Sequence, residues 1–92
     1  MKVNFFATLR SVVGQKTIDL PLPEETTVRE LLAEIVRSYP AMRKEVYDEQ
    51  GSLFEHIHVF VNGRDALFLE DAMETRLLES DTISIFPAIG GG

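Results

Sequence analysis

The sequence predicts an α+β roll, a mixed sheet of four or five strands with one main helix on one face. Three observations carry that expectation. The hydrophobic patterns run strand, strand, helix, strand, short strand, strand. A single amphipathic helix covers only one face of one sheet. The chain has 92 residues, room for one small domain, assigned to residues 1–87 and followed by a glycine tail at 88–92.

Residues 2–8 read as the first strand, with Val3, Phe5 and Ala7 on one face and Lys2, Asn4, Phe6 and Thr8 on the other. Residues 11–15, containing Gly14, read as a turn, and residues 16–20 as a second strand burying Ile18 and Leu20. Pro21 and Pro23 stop it. Thr27 and Glu30 form a Thr-x-x-Glu capping box at the start of a helix. Val28, Leu31, Leu32, Ile35, Val36 and Tyr39 make its apolar stripe, and Pro40 ends it. Residues 41–47 read as a second short helix through Met42 and Val46, and residues 48–52 as a loop.

Residues 56–61 alternate cleanly, with Ile57, Val59 and Val61 opposite His56, His58 and Phe60. Asn62-Gly63 signals a tight turn whose two central residues need positive φ. Residues 66–68 read as a short strand, 70–75 as loop, Ser80-Asp81 as a turn and 82–86 as the last strand, closed by Pro87. The first and last strands are the most hydrophobic on both faces, so they belong at the centre of the sheet.

Composition narrows the function. The balance of 9 Lys+Arg against 15 Asp+Glu gives a formal net charge of −6, which argues against binding a phosphate backbone. With no cysteine, disulfides, thiolate metal sites and cysteine nucleophiles are excluded. No apolar run reaches the roughly 18 residues of a membrane helix. The first residues lack a signal-peptide layout, so a cytoplasmic protein without membrane or nucleic-acid partners is expected. No phosphate loop, dinucleotide fingerprint or Gly-x-Ser-x-Gly is present. His56 and His58 could be read as a metal pair, but zinc sites use three or four protein ligands and no third is signposted. They read better as half-exposed strand residues.

Two features stand out. Glycines fill positions 90–92 directly after a strand and a two-residue spacer. Such a tail can thread extended through a narrow channel, carrying the Gly92 carboxylate as its reactive group. Taken alone it reads more readily as a frayed terminus. The second feature is the sheet face away from the helix, which presents Phe6, Phe60 and Phe86 with His58 and Ser84. Three phenylalanines of roughly 150–250 Å² each would exceed the apolar patch normal for a monomer. That face is therefore assigned as a docking surface, unless the 64–78 segment folds over it.

The stretch Val3-Asn4-Phe5-Phe6-Ala7-Thr8-Leu9-Arg10, the helix entry Thr27-Val28-x-Glu30-Leu31-Leu32 and the turn Val61-Asn62-Gly63-Arg64-Asp65 together resemble a known family. So does the ending, Ser80-Asp81-Thr82-Ile83-Ser84-Ile85-Phe86-Pro87 followed by the terminal glycines. The chain resembles the MoaD/ThiS-type sulfur carriers over essentially its whole length, and archaeal-type small modifiers are similar over the same span. The resemblance implies the β-grasp fold of ubiquitin. It also implies that Gly92, preceded by Gly91, is adenylated by an ATP-using, ubiquitin-activating-type adenylyltransferase and then converted to a thiocarboxylate. In one branch the chain is the small subunit of molybdopterin synthase, itself non-catalytic, handing sulfur to the large subunit for molybdenum cofactor biosynthesis. The alternatives are a small protein modifier, or a sulfur carrier for cysteine, thiamin or tRNA thiolation. No cofactor or metal is expected on the chain itself. Phe6, His58, Phe60, Phe86, Pro87 and Gly90 are assigned to partner binding.

Overall fold

The computed structural model describes residues 1–87. Five strands form one mixed sheet: β1 (Lys2–Phe5), β2 (Thr17–Asp19), β3 (Ile57–Val61), β4 (Arg64–Asp65) and β5 (Thr82–Pro87). Their spatial order is β2-β1-β5-β3-β4. Only the β1–β5 pair is parallel; the other neighbours run antiparallel. The expected central strands are therefore central, and the arrangement is the β-grasp.

The main helix, α2 (Val28–Ser38), starts as its sequence dictates. The Thr27 hydroxyl accepts from the Glu30 N–H at 3.1 Å, and Glu30 accepts from the Thr27 N–H at 2.9 Å. Val28, Leu31, Leu32 and Ile35 are buried against Val3, Phe5, Ile83 and Ile85 in one core. Pro40 stops α2 and opens a 3₁₀ turn, Pro40–Met42, which runs into α3 (Arg43–Val46) with Met42 and Val46 buried.

Three local expectations change. The first strand stops at Phe5 rather than residue 8, and residues 8–13 form a helix, α1 (Thr8–Val13). Ala7 turns the chain with φ 54°, Leu9 and Val13 bury one helical turn apart, and Gly14 closes the helix in the left-handed conformation. Only residues beyond α1 remain of the expected turn at 11–15. Residues 66–68 are a 3₁₀ turn and not a strand; the strand is the preceding Arg64–Asp65. Asp65 caps that turn by accepting from the Leu67 N–H at 2.9 Å, which draws the chain away from the sheet ladder. Residues 72–74, read as loop, form another 3₁₀ turn.

The Asn62-Gly63 turn has the expected positive φ values, 52° and 84°. Asn62 does more than turn the chain. Its side chain accepts from the Thr82 N–H and donates to Asp81, so the β3–β4 hairpin and the turn into β5 brace each other. From β4 the chain crosses to the helix side. Ala66 and Leu77 are buried in the core, Met73 packs on it, and residues 75–77 exchange backbone hydrogen bonds with residues 25–28. The 64–78 segment thus supports the helix and leaves the other sheet face uncovered.

Two outcomes test the capping account. Thr27→Ala should lower unfolding stability by about 1 kcal/mol, measured by urea denaturation. Glu30 is held below the ordinary glutamate range, first by the Thr27 backbone N–H and then by the Thr27 hydroxyl. A carboxylate depressed in the folded state contributes stability that is present above its unfolded pKa and lost as pH falls through its folded pKa. Glu30→Gln keeps the capping geometry and removes the titration, so it should flatten the acid side of the melting-temperature profile. An acid limb identical to wild type would contradict this.

Candidate functional site: the aromatic sheet face

The face of the sheet away from α2 is built by strand alternation. With Ile83 and Ile85 committed to the core, Ser84 and Phe86 must point outward. The β3–β5 register sets His58 opposite Phe86 and Phe60 opposite Ser84. Beyond the end of β1, the Phe6 N–H donates to the Ile85 carbonyl, which carries Phe6 alongside the same strand.

The rings meet around Phe86. Phe60 is 4.9 Å away and tilted, His58 is 5.7 Å away and tilted, and Phe6 meets it edge-on at 6.1 Å. Diagonal neighbours on a sheet lie within reach of aromatic side chains, which explains the Phe60–Phe86 contact. Arg10 from α1 places its guanidinium 6.0 Å from the Phe6 ring centroid. Together Phe6, Phe60, Phe86 and Pro87 line an open groove of about 490 Å³ with Ala7, Gly63 and Ser84.

The patch is smaller than three free phenylalanines would make. Phe60 and Phe86 are half-buried by each other, and Phe6 is 37% exposed. What remains is a ring cluster held in place before any partner arrives, so few rotamers need to be ordered on contact.

His58 is fixed from the side. Its Nδ1 lies 3.0 Å from Asp65 Oδ2, and Asp65 Oδ1 accepts from the Leu67 N–H. Both carboxylate oxygens are thus engaged, one on the imidazole and one on the backbone. Asp65 is a site residue that hydrophobic patterning does not single out. A signal for it exists all the same: the two-residue Asn-Gly turn pairs Phe60 with Asp65, which puts Asp65 on the face of Phe60 and His58.

His56 does not join the face. It is exposed and stacks on Phe54 at 5.1 Å. Among the described residues no cluster of three or more metal-ligating side chains is arranged to hold an ion. Nor is any helix of the described residues long and apolar enough to cross a membrane. Phe6, His58, Phe60, Phe86 and Pro87 therefore come together as one site. Gly90, Gly91 and Gly92 lie outside the described residues, as do Ala88 and Ile89.

The chain belongs to the ThiS family, whose model matches residues 3–92. It is similar to Small archaeal modifier protein 3 of Haloferax volcanii, 36% identical over 92 residues, covering 100% of this chain and 98% of the relative. Among solved structures, the crystal structure of the Haloferax volcanii modifier SAMP1 superposes with a TM-score of 0.85 at 30% identity, covering 99% of this chain and 97% of that one. A chain of the Amycolatopsis orientalis BexX/CysO complex matches with a TM-score of 0.79 at 26% identity, covering 99% of this chain and 98% of that one. The fold is therefore ubiquitin-like, and the chain falls among ubiquitin-like sulfur carriers and small archaeal modifiers.

The bracing by Asp65 makes a local forecast. Asp65→Ala should release the Leu67 amide, whose hydrogen exchange should quicken by about fivefold, while the amides of β5 keep their wild-type protection. An unchanged Leu67 rate would show that the carboxylate does not hold the turn.

Proposed function

We propose that this protein is a carrier whose Gly92 carboxylate is activated as an acyl-adenylate and converted to a thiocarboxylate. The observation that carries the reading is that β5 supplies both Phe86, at the centre of the aromatic cluster, and Pro87, the residue from which the glycine tail continues. A partner that grips the cluster has the tail within a few residues of its contact.

The chemistry follows from the groups available. A carboxylate resists attack until one oxygen becomes part of a good leaving group. Adenylation does this: the Gly92 carboxylate attacks the α-phosphorus of ATP and pyrophosphate leaves. Hydrosulfide then attacks the acyl carbon, AMP departs with the bonding pair of the C–O bond, and loss of the S–H proton leaves the thiocarboxylate. The activating enzyme supplies ATP binding and the acid/base groups. This chain supplies the carboxylate, a tail without side chains at its last three positions, and a preformed docking face. It carries no thiol of its own to intercept the acyl-adenylate. The setting for such an ATP-dependent exchange is the cytoplasm.

The acceptor divides the reading. Likeness to a CysO chain and to the ThiS family supports sulfur delivery, of which the molybdopterin synthase small subunit is one form. Likeness to two small archaeal modifiers favours a second outcome from the same acyl-adenylate, in which a lysine amine attacks the acyl carbon, AMP departs, the nitrogen loses a proton and an isopeptide bond remains. Relatives of both kinds match this chain, two small archaeal modifiers and one sulfur carrier, so both outcomes are proposed for one activated tail.

Deletion of Gly92 should leave the melting temperature unchanged and abolish both products. Thiocarboxylate is read by retardation on mercury-containing gels, and conjugates by higher-mass bands on denaturing gels. A truncated chain that still formed either product would overturn the proposal. Phe86→Asp should weaken binding to the adenylating enzyme at least tenfold, because docking would bury an unpaired charge. Association should also slow as salt rises, given the net charge of −6 and a complementary basic partner.

A further inference from the structure

We infer that His58, braced by Asp65, is a proton-sensitive specificity contact of the aromatic face: its neutral imidazole offers Nε2 as an acceptor to a hydrogen-bond donor on a basic protein partner, and protonation weakens docking. The inference rests on the docking role proposed above.

The bracing decides what the ring can offer. An ionised carboxylate only accepts hydrogen bonds, so the 3.0 Å contact with Asp65 Oδ2 requires that Nδ1 carry the proton. In the neutral ring, Nε2 is then the atom with the lone pair. Among the described residues no hydrogen bond engages it. The ring cannot swing freely, because Phe86 flanks it at 5.7 Å and Asp65 is itself pinned by the Leu67 N–H. His58 is partly exposed, with 30% of its side-chain surface open, while Asp65 has 13%. The acceptor is therefore presented in a fixed direction on the edge of the ring cluster.

The surrounding charges are few. From β4, Asp65 faces His58, whereas Arg64 pairs with Val61 and so has the opposite strand parity. From β5, Ser84, Phe86 and Pro87 bring no titratable group, and neither does the Ala66–Phe68 turn. β3 holds no second titratable side chain; Glu55 and His56 precede it, with His56 turned onto Phe54. Arg10 sits across the cluster on Phe6. Among the described residues, Asp65 is the one titratable side chain placed directly against the imidazole.

The partner's chemistry follows from the rest of the surface. A chain of net charge −6 selects a surface rich in Arg and Lys, and such surfaces offer N–H donors. A neutral imidazole accepts from one of them. A protonated one has no lone pair left and turns an N–H donor towards the partner's donor. Proton and partner thus compete for the same atom, so docking weakens as the solution is made more acidic.

The test uses the full chain and its adenylating enzyme, with calorimetric Kd values at pH 7.5 and 5.5 for wild type, His58→Gln, His56→Gln and Phe86→Asp. The wild-type Kd should rise at least about fivefold at the lower pH, and that ratio should collapse towards one in His58→Gln. His56→Gln should keep the wild-type ratio. If Phe86→Asp weakens binding but wild type and His58→Gln share one pH ratio, the inference fails while the docking face stands. If Phe86→Asp binds like wild type, the docking face and the inference fall together. The free protein gives a further reading through the ¹⁵N shifts of the His58 ring. The Nδ1–H tautomer should dominate in wild type and be lost in Asp65→Ala, and a dominant Nε2–H tautomer in wild type would overturn the proposal.

Discussion

The placement of β5 between two strands of opposite direction governs the rest of the molecule. It pairs parallel with β1 and antiparallel with β3, and both registers bring isoleucine against an apolar partner: Ile83 beside Val3 and Val61, Ile85 beside Phe5 and Val59. Both isoleucines are completely buried. Burial of each is worth about 1.5–3 kcal/mol, so a shift of one residue, which would expose both, is strongly disfavoured. The same alternation then leaves no choice for the even positions. Ser84 and Phe86 must face outward, and Pro87 follows at the strand's end. A packing constraint in the core thereby fixes the geometry of the aromatic face and the strand end from which the tail sequence continues.

The face adds its own order to that frame. Phe86 is touched by His58 and Phe60 from β3 on one side and by Phe6, just beyond β1, on the other, so the cluster forms only when β5 has paired with both neighbours. Its rings are half-buried by one another, which limits the exposed apolar area and keeps their positions defined. This division of labour suits a small domain. A deep enclosed active site is hard to build at this length. A preformed surface and a short tail need no such site under the proposed function, in which the bond-making groups belong to a partner enzyme.

Much of this is legible in the sequence wherever the physics is local. The Thr27–Glu30 box, the apolar stripe of α2 and the Asn62-Gly63 turn each depend on a few adjacent residues, and each forms as expected. Period-2 alternation by itself places Phe60 and Phe86 on one face. The helix at residues 8–13 is hidden because Val3, Phe5 and Ala7 alternate without a break, and one buried pair, Leu9 and Val13, makes only a single helical turn of signal. The positive φ of Ala7 has no residue-type marker, since alanine rarely adopts it. The turn at 66–68 depends on the side chain of Asp65, which serves the backbone and His58 at once. The route of the 64–78 segment depends on long-range hydrogen bonds between residues 25–28 and 75–77, which no local pattern encodes.

The central claim is that face and tail work as one device, with the face delivering Gly92 to an activating enzyme. Intact-mass spectrometry tests it most directly, on the chain incubated with ATP, a sulfide source and that enzyme, run in parallel for wild type and a folded Phe60→Asp variant. The account predicts a gain equal to an oxygen-to-sulfur exchange, localised to Gly92 by fragmentation, that is rapid in wild type and slowed in the variant. An unchanged wild-type mass, with an enzyme proven active on another carrier, would contradict it.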